Sequence, residues 1–374
     1  MVTQLLWDWG TAYDLFVSLA VLHDPATFGV RGSWAAGVRA RLPETARDTL
    51  EQSLCLGYVP FHWIYSLPDP KDTTAVLWAL GRIPPAERLP RLMIGPEGLP
   101  GRIESILRQV AGRGRWDEAD REALQTAYHA AAEGHKGKKG PSAQKLACIL
   151  DGWADLEGFG ERYLEALRAY QEVFFAEEER RIRPVLREAV ARAQESAGKL
   201  PFPELLEELS QGLRIDEAVD ADELVLAPSY WSTPLVIFGR LTARREIWLF
   251  GARPADASLV PGETVPDALL QALKALSDPT RLRILHYLTQ EPVSPADLSR
   301  RLRLRLPTVT HHLKTLRLAG LVRLSLGEGK ETRRYAARAE AVTTAFHTLE
   351  RFLKEGQETL PESVEPVEDN TESL

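Results

Sequence analysis

The stretch from Leu306 to Leu318 reads Leu-Pro-Thr-Val-Thr-His-His-Leu-Lys-Thr-Leu-Arg-Leu. On a helix, Val309, Leu313 and Leu316 fall at i, i+4 and i+7 and make one apolar face. Thr310, Lys314 and Arg317 repeat that spacing on another face, with Thr308 and His311 beside them. Hydroxyls and an imidazole can meet base edges, and cations can neutralise phosphates. That is what a helix lying in a DNA major groove needs. His312, next to Leu313, reads instead as a packed histidine. Arg300, Arg301, Arg303 and Arg305 lead into this helix and are assigned to phosphates. Lys330, Arg333 and Arg334 follow it, where backbone or minor-groove contact is expected.

The neighbouring segments supply what such a helix needs to be held. Asp267–Leu276 predicts a short apolar helix through Leu269, Leu270, Leu273 and Leu276. Asp278 followed by Pro279 is an N-cap with proline at the first helical position, and the helix it opens places Leu282, Leu285 and Leu288 inward. Ser294 and Asp297, three apart, resemble a capping box before a helix that buries Leu298 and Leu302. Gly320 ends the recognition helix as a left-handed terminator. Val322–Leu326 alternates as a half-buried strand, Gly327–Lys330 makes a turn, and Glu331–Ala336 returns as a second strand. Ala339–Lys354 is amphipathic through Val342, Ala345, Phe346, Leu349, Phe352 and Leu353. Helices, turn and wing together describe a winged helix-turn-helix.

Leu276-Ser277-Asp278-Pro279-Thr280-Arg281-Leu282-Arg283-Ile284-Leu285 resembles the opening signature of the ArsR family of bacterial winged-helix repressors. Pro307–Lys314, with Ala319-Gly320-Leu321-Val322, is similar to that family's recognition-helix pattern. The resemblance covers roughly 267–355. It implies a homodimer joined through the first and last helices of the module, with two recognition helices in successive major grooves of double-stranded DNA. The family usually has a small polar N-cap and a further polar residue before the proline; here those places hold Arg305 and Leu306. Loss of the cap bond costs about 1 kcal/mol, and Arg305 is expected to take a phosphate instead. The family's thiolate metal site would need cysteines in Ala296–Leu302, which has none. A second family site would use His347 and Glu350, but its upstream positions fall near Arg334 and Ala336, which cannot ligate. No metal and no cofactor is expected.

The whole chain has 374 residues and a net charge of −7. That charge is unevenly shared. Residues 265–356 hold 16 Lys and Arg against 9 Asp and Glu, a net of +7, and residues 357–374 hold six acids and no base. A basic module within an acidic chain points to nucleic acid. All nine tryptophans precede residue 250, and breakers crowd 251–266. The expected domains are therefore a helix-rich sensor or assembly domain over 1–250, a linker over 251–266, the winged module over 267–356, and a disordered acidic tail over 357–374.

The fold class is mainly α, α+β overall. Helices are expected over Tyr13–Leu22, Glu44–Leu54, Thr73–Leu80, Arg102–Val110, Asp117–Ala132 and Ser142–Leu156. A long one from about Glu161 towards Ala197 should be kinked or split by Pro184. Gly134–Pro141 reads as an exposed basic loop. Short apolar runs in 223–250 suggest a small β-meander.

Two isolated cysteines, Cys55 and Cys148, suit a reducing compartment. No apolar run approaches the roughly 20 residues of a membrane span, and Met1–Gln4 lacks a basic n-region. A cytoplasmic protein is expected. GxSxG, HExxH, CxxC and GxGxxG patterns are absent, and Gly327–Lys330 lacks Walker spacing. Asp8, Asp14, His23, Asp24 and His62 lie among Trp7, Trp9, Trp34 and Trp63, where core aromatics with polar rims are the default. Tyr230 and Trp231, in a loop of aromatics and hydroxyls, are the candidate ligand contacts.

The favoured reading is a repressor of ArsR type that binds an inverted repeat as a homodimer, modulated through its N-terminal domain by a small-molecule or protein effector. The alternatives are an enzyme in residues 1–250 with an auxiliary winged helix, and a winged helix that contacts protein.

Overall fold

The computed structural model describes residues 4–30, 32–57, 59–132, 140–215, 221–260, 264–326 and 333–358. The expected basic loop 134–141 falls almost entirely outside them, as do Lys330 and the acidic tail beyond 358. The chain divides into two compact units: residues 1–253 with 324–333, and residues 254–323 with 334–374.

The first unit begins with a strand, β1 (Gln4–Trp7), and helices α1 (Thr11–His23), α2 (Gly32–Arg41), α3 (Glu44–Leu56), α4 (Phe61–Tyr65), α5 (Thr73–Arg82) and α6 (Pro85–Met93). It continues with α7 (Ile103–Arg113), α8 (Glu118–Ala132), α9 (Ala143–Ala154) and α10 (Leu156–Tyr170). A π-helical turn (Gln171–Phe175) leads into α11 (Ala176–Ala197), and α12 (Phe202–Leu209) and β2 (Leu213–Ile215) follow. The unit then forms β3 (Glu223–Ser229), β4 (Ile237–Thr242) and β5 (Arg245–Gly251). Every residue of α1 from Thr11 to Leu22 is buried, Asp14 among them, so this largely apolar helix is an internal one.

The sheet corrects the expected meander. Its strand order is β1-β3-β5-β4. β3 runs parallel to both β1 and β5, and only β4 and β5 form an antiparallel pair. Leu224–Ala227 and Ile247–Phe250 are continuous apolar runs, buried on both faces as parallel strands are. β4 alone alternates, as a strand with one wet face does. Leu324–Leu326, counted with this unit, pairs in parallel with β2.

Pro184 does not split the long helix: α11 passes through it, held by the buried Ile182, Leu186, Ala189 and Val190. The irregularity lies earlier, at the π turn. An extra residue there lets consecutive aromatics face inward. Phe174 packs against Trp34 and Trp231, each at 5.6 Å, and Phe175 against Tyr170 at 6.2 Å.

The second unit holds α13 (Asp267–Leu276), α14 (Pro279–Leu288), α15 (Pro295–Leu302), α16 (Leu306–Leu318) and α17 (Ala339–Glu358), and β6 (Val322–Leu326) and β7 (Arg333–Ala337) belong to it except for Leu324–Leu326 and Arg333, which count with the first unit. β6 and β7 are neighbours in a sheet, and Val293 bridges Tyr335 antiparallel beside them. Ala272, Ala275, Ile284, Leu285, Leu288, Leu298 and Leu302 bury with Val309, Leu313 and Leu316 in one core. One inward assignment is corrected: Leu282 is 48% exposed, and Ile284 takes the buried place on α14.

Candidate nucleic-acid interface

The module's helices start where side-chain caps are available. The Asp278 carboxylate accepts from Arg281 N at 2.9 Å, and that bond holds its pKa below the usual carboxylate range. Ser294 Oγ accepts from Asp297 N at 3.1 Å and donates to the Asp297 carboxylate at 2.8 Å. This closes the capping motif at the head of α15. Arg281 reaches back from α14 to the carbonyls of Lys274 and Ala275, at 2.6 and 2.7 Å, and so ties down the C-terminal end of α13.

The turn from α15 to α16 is short and braced. Leu304 N bonds Ser299 O at 3.1 Å, and Ser299 Oγ donates to Leu304 O at 2.6 Å. Arg303 closes α15 in the left-handed region, with φ of 56°. Arg305 occupies the N-cap of α16 and makes no cap bond with its side chain. Two rules of local stability are thus broken in three residues, each in favour of an arginine. A left-handed conformation costs a non-glycine residue roughly 1–2 kcal/mol, and a missing cap about 1 kcal/mol.

α16 buries Val309, Leu313 and Leu316 and exposes Thr308, Thr310, His311 and Lys314. Thr310 Oγ donates to Leu306 O at 2.9 Å, so outward it offers only lone pairs. His312 is half-buried as expected, and burial lowers its pKa, which favours the neutral ring. Its buried Nδ1 has no hydrogen-bond partner among the described residues. The helix ends at Gly320, whose φ is 70°. Arg338, which the sequence reading did not single out, donates to Gly320 O at 3.0 Å and braces that end.

The cations fall into four groups. Arg300 pairs with Asp297, and Arg301 with Glu291 at 2.7 Å, so both are already partly neutralised. Arg303, Arg305 and Lys314 are exposed and, among the described residues, have no acidic partner. Arg317 departs from its assignment to the exposed face. It is half-buried, and burial, followed by repulsion from the Arg338 guanidinium, lowers its pKa to about 10. Arg333 and Arg334 are exposed at the start of β7. His347 and Glu350 are both exposed on α17. Among the described residues no group of three or more His, Cys, Asp or Glu could hold a metal.

The Tyr230–Trp231 loop is core rather than rim. Each residue is 1% exposed. The Tyr230 hydroxyl accepts from Arg181 at 2.7 Å, and Trp231 Nε1 donates to Glu178 at 3.0 Å. The carboxylate of Asp14, also fully buried, accepts from Ser229 Oγ at 2.6 Å and from the Tyr230 and Trp231 N–H groups at 3.0 Å each. Trp34 stacks on Trp231 with centroids 5.0 Å apart. The aromatics and hydroxyls that suggested a ligand contact satisfy one another.

Residues 276–325 match the family described as Helix-turn-helix domain. With the wing and α17 added, the C-terminal module is a winged helix-turn-helix, a DNA-binding module of transcription regulators. Among solved structures, the chain is similar to the crystal structure of an ArsR family transcriptional regulator at 28% identity. That match covers 24% of this chain and 93% of the other, with a TM-score of 0.20. It is also similar to HlyU from Vibrio cholerae at 30% identity, over 22% of this chain and 89% of the other, with a TM-score of 0.19. Comparison with curated proteins finds no match. Among the described residues no helix is long and apolar enough to cross a membrane.

Proposed function

We propose that this chain is a repressor that binds an inverted-repeat operator as a homodimer, with α16 in the major groove and the N-terminal unit setting its activity. The observation that carries the reading is the turn before α16, where Arg303 and Arg305 stand at positions that local stability would give to glycine and to a capping residue. Such departures are expected at functional positions. Arg303, Arg305 and Lys314 bind phosphates; Thr308, Thr310 and His311 face base edges. Arg300 and Arg301 contribute after exchanging their carboxylate partners for phosphate, and Arg333, Arg334 and Lys330 reach the backbone or minor groove from the wing. Arg317 leaves the contact set. Phe346 and Leu353, at 50% and 58% exposed on α17, support pairing of two copies through the last helix.

The test is binding of the full-length protein to duplex from its own upstream region across a salt series, with random duplex as competitor. Specific binding with a steep salt slope is expected. Arg305→Ala and Lys314→Ala should each reduce that slope by about 0.9, one phosphate's worth. Slopes that both variants leave unchanged would remove α16 from the interface.

A further inference from the structure

A cavity of about 260 Å3 opens within the first unit, between α1, α3, α4, α6, α10 and β4. Ligand sites for drug-sized molecules run roughly 300–1,000 Å3, so this one suits something smaller. Phe16, Leu89, Met93 and Phe159 supply apolar wall. The deeper polar groups are already engaged. Ser53 Oγ donates to Leu50 O at 2.7 Å. His62 bonds the Arg91 carbonyl at 3.0 Å through Nε2, which fixes Nε2 as the protonated nitrogen. Ser53 Oγ and His62 Nε2 are thus engaged within the protein.

The rim is different. Arg240 lines the cavity from the edge strand β4, and among the described residues no Asp or Glu lines it. Its cross-strand neighbour Glu246 forms a long ion pair with it at 3.9 Å and accepts from Trp248 Nε1 at 3.1 Å, which leaves most of the guanidinium open to solvent. Gly239, next in the strand, keeps the site's shape: a Cβ there would fall 2.1 Å from the Phe61 ring, another part of the wall. Aromatic and aliphatic side chains along the wall and a largely exposed, loosely paired cation at the mouth suit an apolar body with a single negative end.

We infer that this cavity binds a small apolar carboxylic acid, its hydrocarbon body against Phe16, Leu89 and Phe159 and its carboxylate at Arg240. That occupancy alters DNA binding rests on the regulator reading above; ligand capture does not. The experiment therefore uses the full-length protein without DNA, so the two readings fail or hold separately.

Calorimetric titration with phenylacetate, phenylacetamide and phenethylamine compares one body carrying three charges. Saturable binding of phenylacetate at about 1 mM or tighter, with phenethylamine at least about tenfold weaker, is expected. Arg240→Gln, a change on an exposed edge strand, should cost phenylacetate about tenfold and leave phenylacetamide unmoved. Leu92→Trp, at a half-buried lining position, should abolish binding of both. Absence of saturation by about 10 mM, equal affinity for acid and amine, or an R240Q variant that binds phenylacetate like the parent would each overturn the site.

Discussion

Asp14 is the residue whose environment makes the sharpest demand. Its carboxyl has no exposure and accepts three hydrogen bonds, yet burial outweighs them and pushes its pKa from 3.8 up to about 6. A carboxyl raised in the folded state favours its protonated form there. Its contribution to stability is full below about pH 4 and is lost as pH rises through 6, a change of about 3 kcal/mol. Asp14→Asn should lower stability, because its oxygen can replace only Oδ1, which accepts from Ser229 Oγ and Trp231 N, and its NH2 would then face the Tyr230 N–H donor. It should also flatten the fall between pH 4 and 6 relative to the parent. Urea unfolding followed by tryptophan fluorescence reads both, and parallel pH profiles for the two proteins would sink the assignment. None of this was visible in sequence. Asp14 sits 215 residues from Ser229, and only the sheet brings the two together. The aromatics around Tyr230 and Trp231 suggested a ligand contact for the same reason: the partners that satisfy them, Glu178 and Arg181, are on a distant helix.

The turn between α15 and α16 connects stability to function through short-range geometry. Arg303→Gly should stabilise the module by about 1 kcal/mol by relieving a left-handed arginine. Arg305→Ser should do the same by restoring a cap. Both should weaken operator binding as they stabilise. Midpoints of unfolding and duplex affinities measured on the same samples decide the matter; stability and affinity falling together would make these arginines structural. Sequence alone exposed the Arg305 departure, because proline and the apolar period locate the helix start. It missed Arg303, because nothing in Arg-Leu-Arg states a φ angle. The helices and wing of this module were readable since caps, terminators and apolar periods act within a few residues. The parallel pairing of β1, β3 and β5 was not: Gln4 and Glu223 have no local signal that joins them. The π turn was hidden as well, since Pro184 was the only breaker in view and the packing of α11 carries the helix through it.

Charge is distributed over the whole molecule in opposing blocks, +7 over residues 265–356 beside an acidic remainder. Long-range fields of this kind govern encounter more than docking. Deleting residues 359–374 removes five carboxylates and no cation. Affinity for operator and random duplex should rise together at low salt, by severalfold, and converge with the parent at high salt. A gain confined to the operator, or one that persists at high salt, would show the tail acting by contact rather than by charge.

The topology of the first unit also has a consequence in time. β1 is made first, but its partner β3 lies about 220 residues downstream, and at roughly 5–20 residues per second the ribosome needs about ten to forty seconds to supply it. Through that interval α1, largely apolar, has no sheet to cover it. For that interval the nascent chain therefore carries a largely apolar helix whose covering strands have not yet been made.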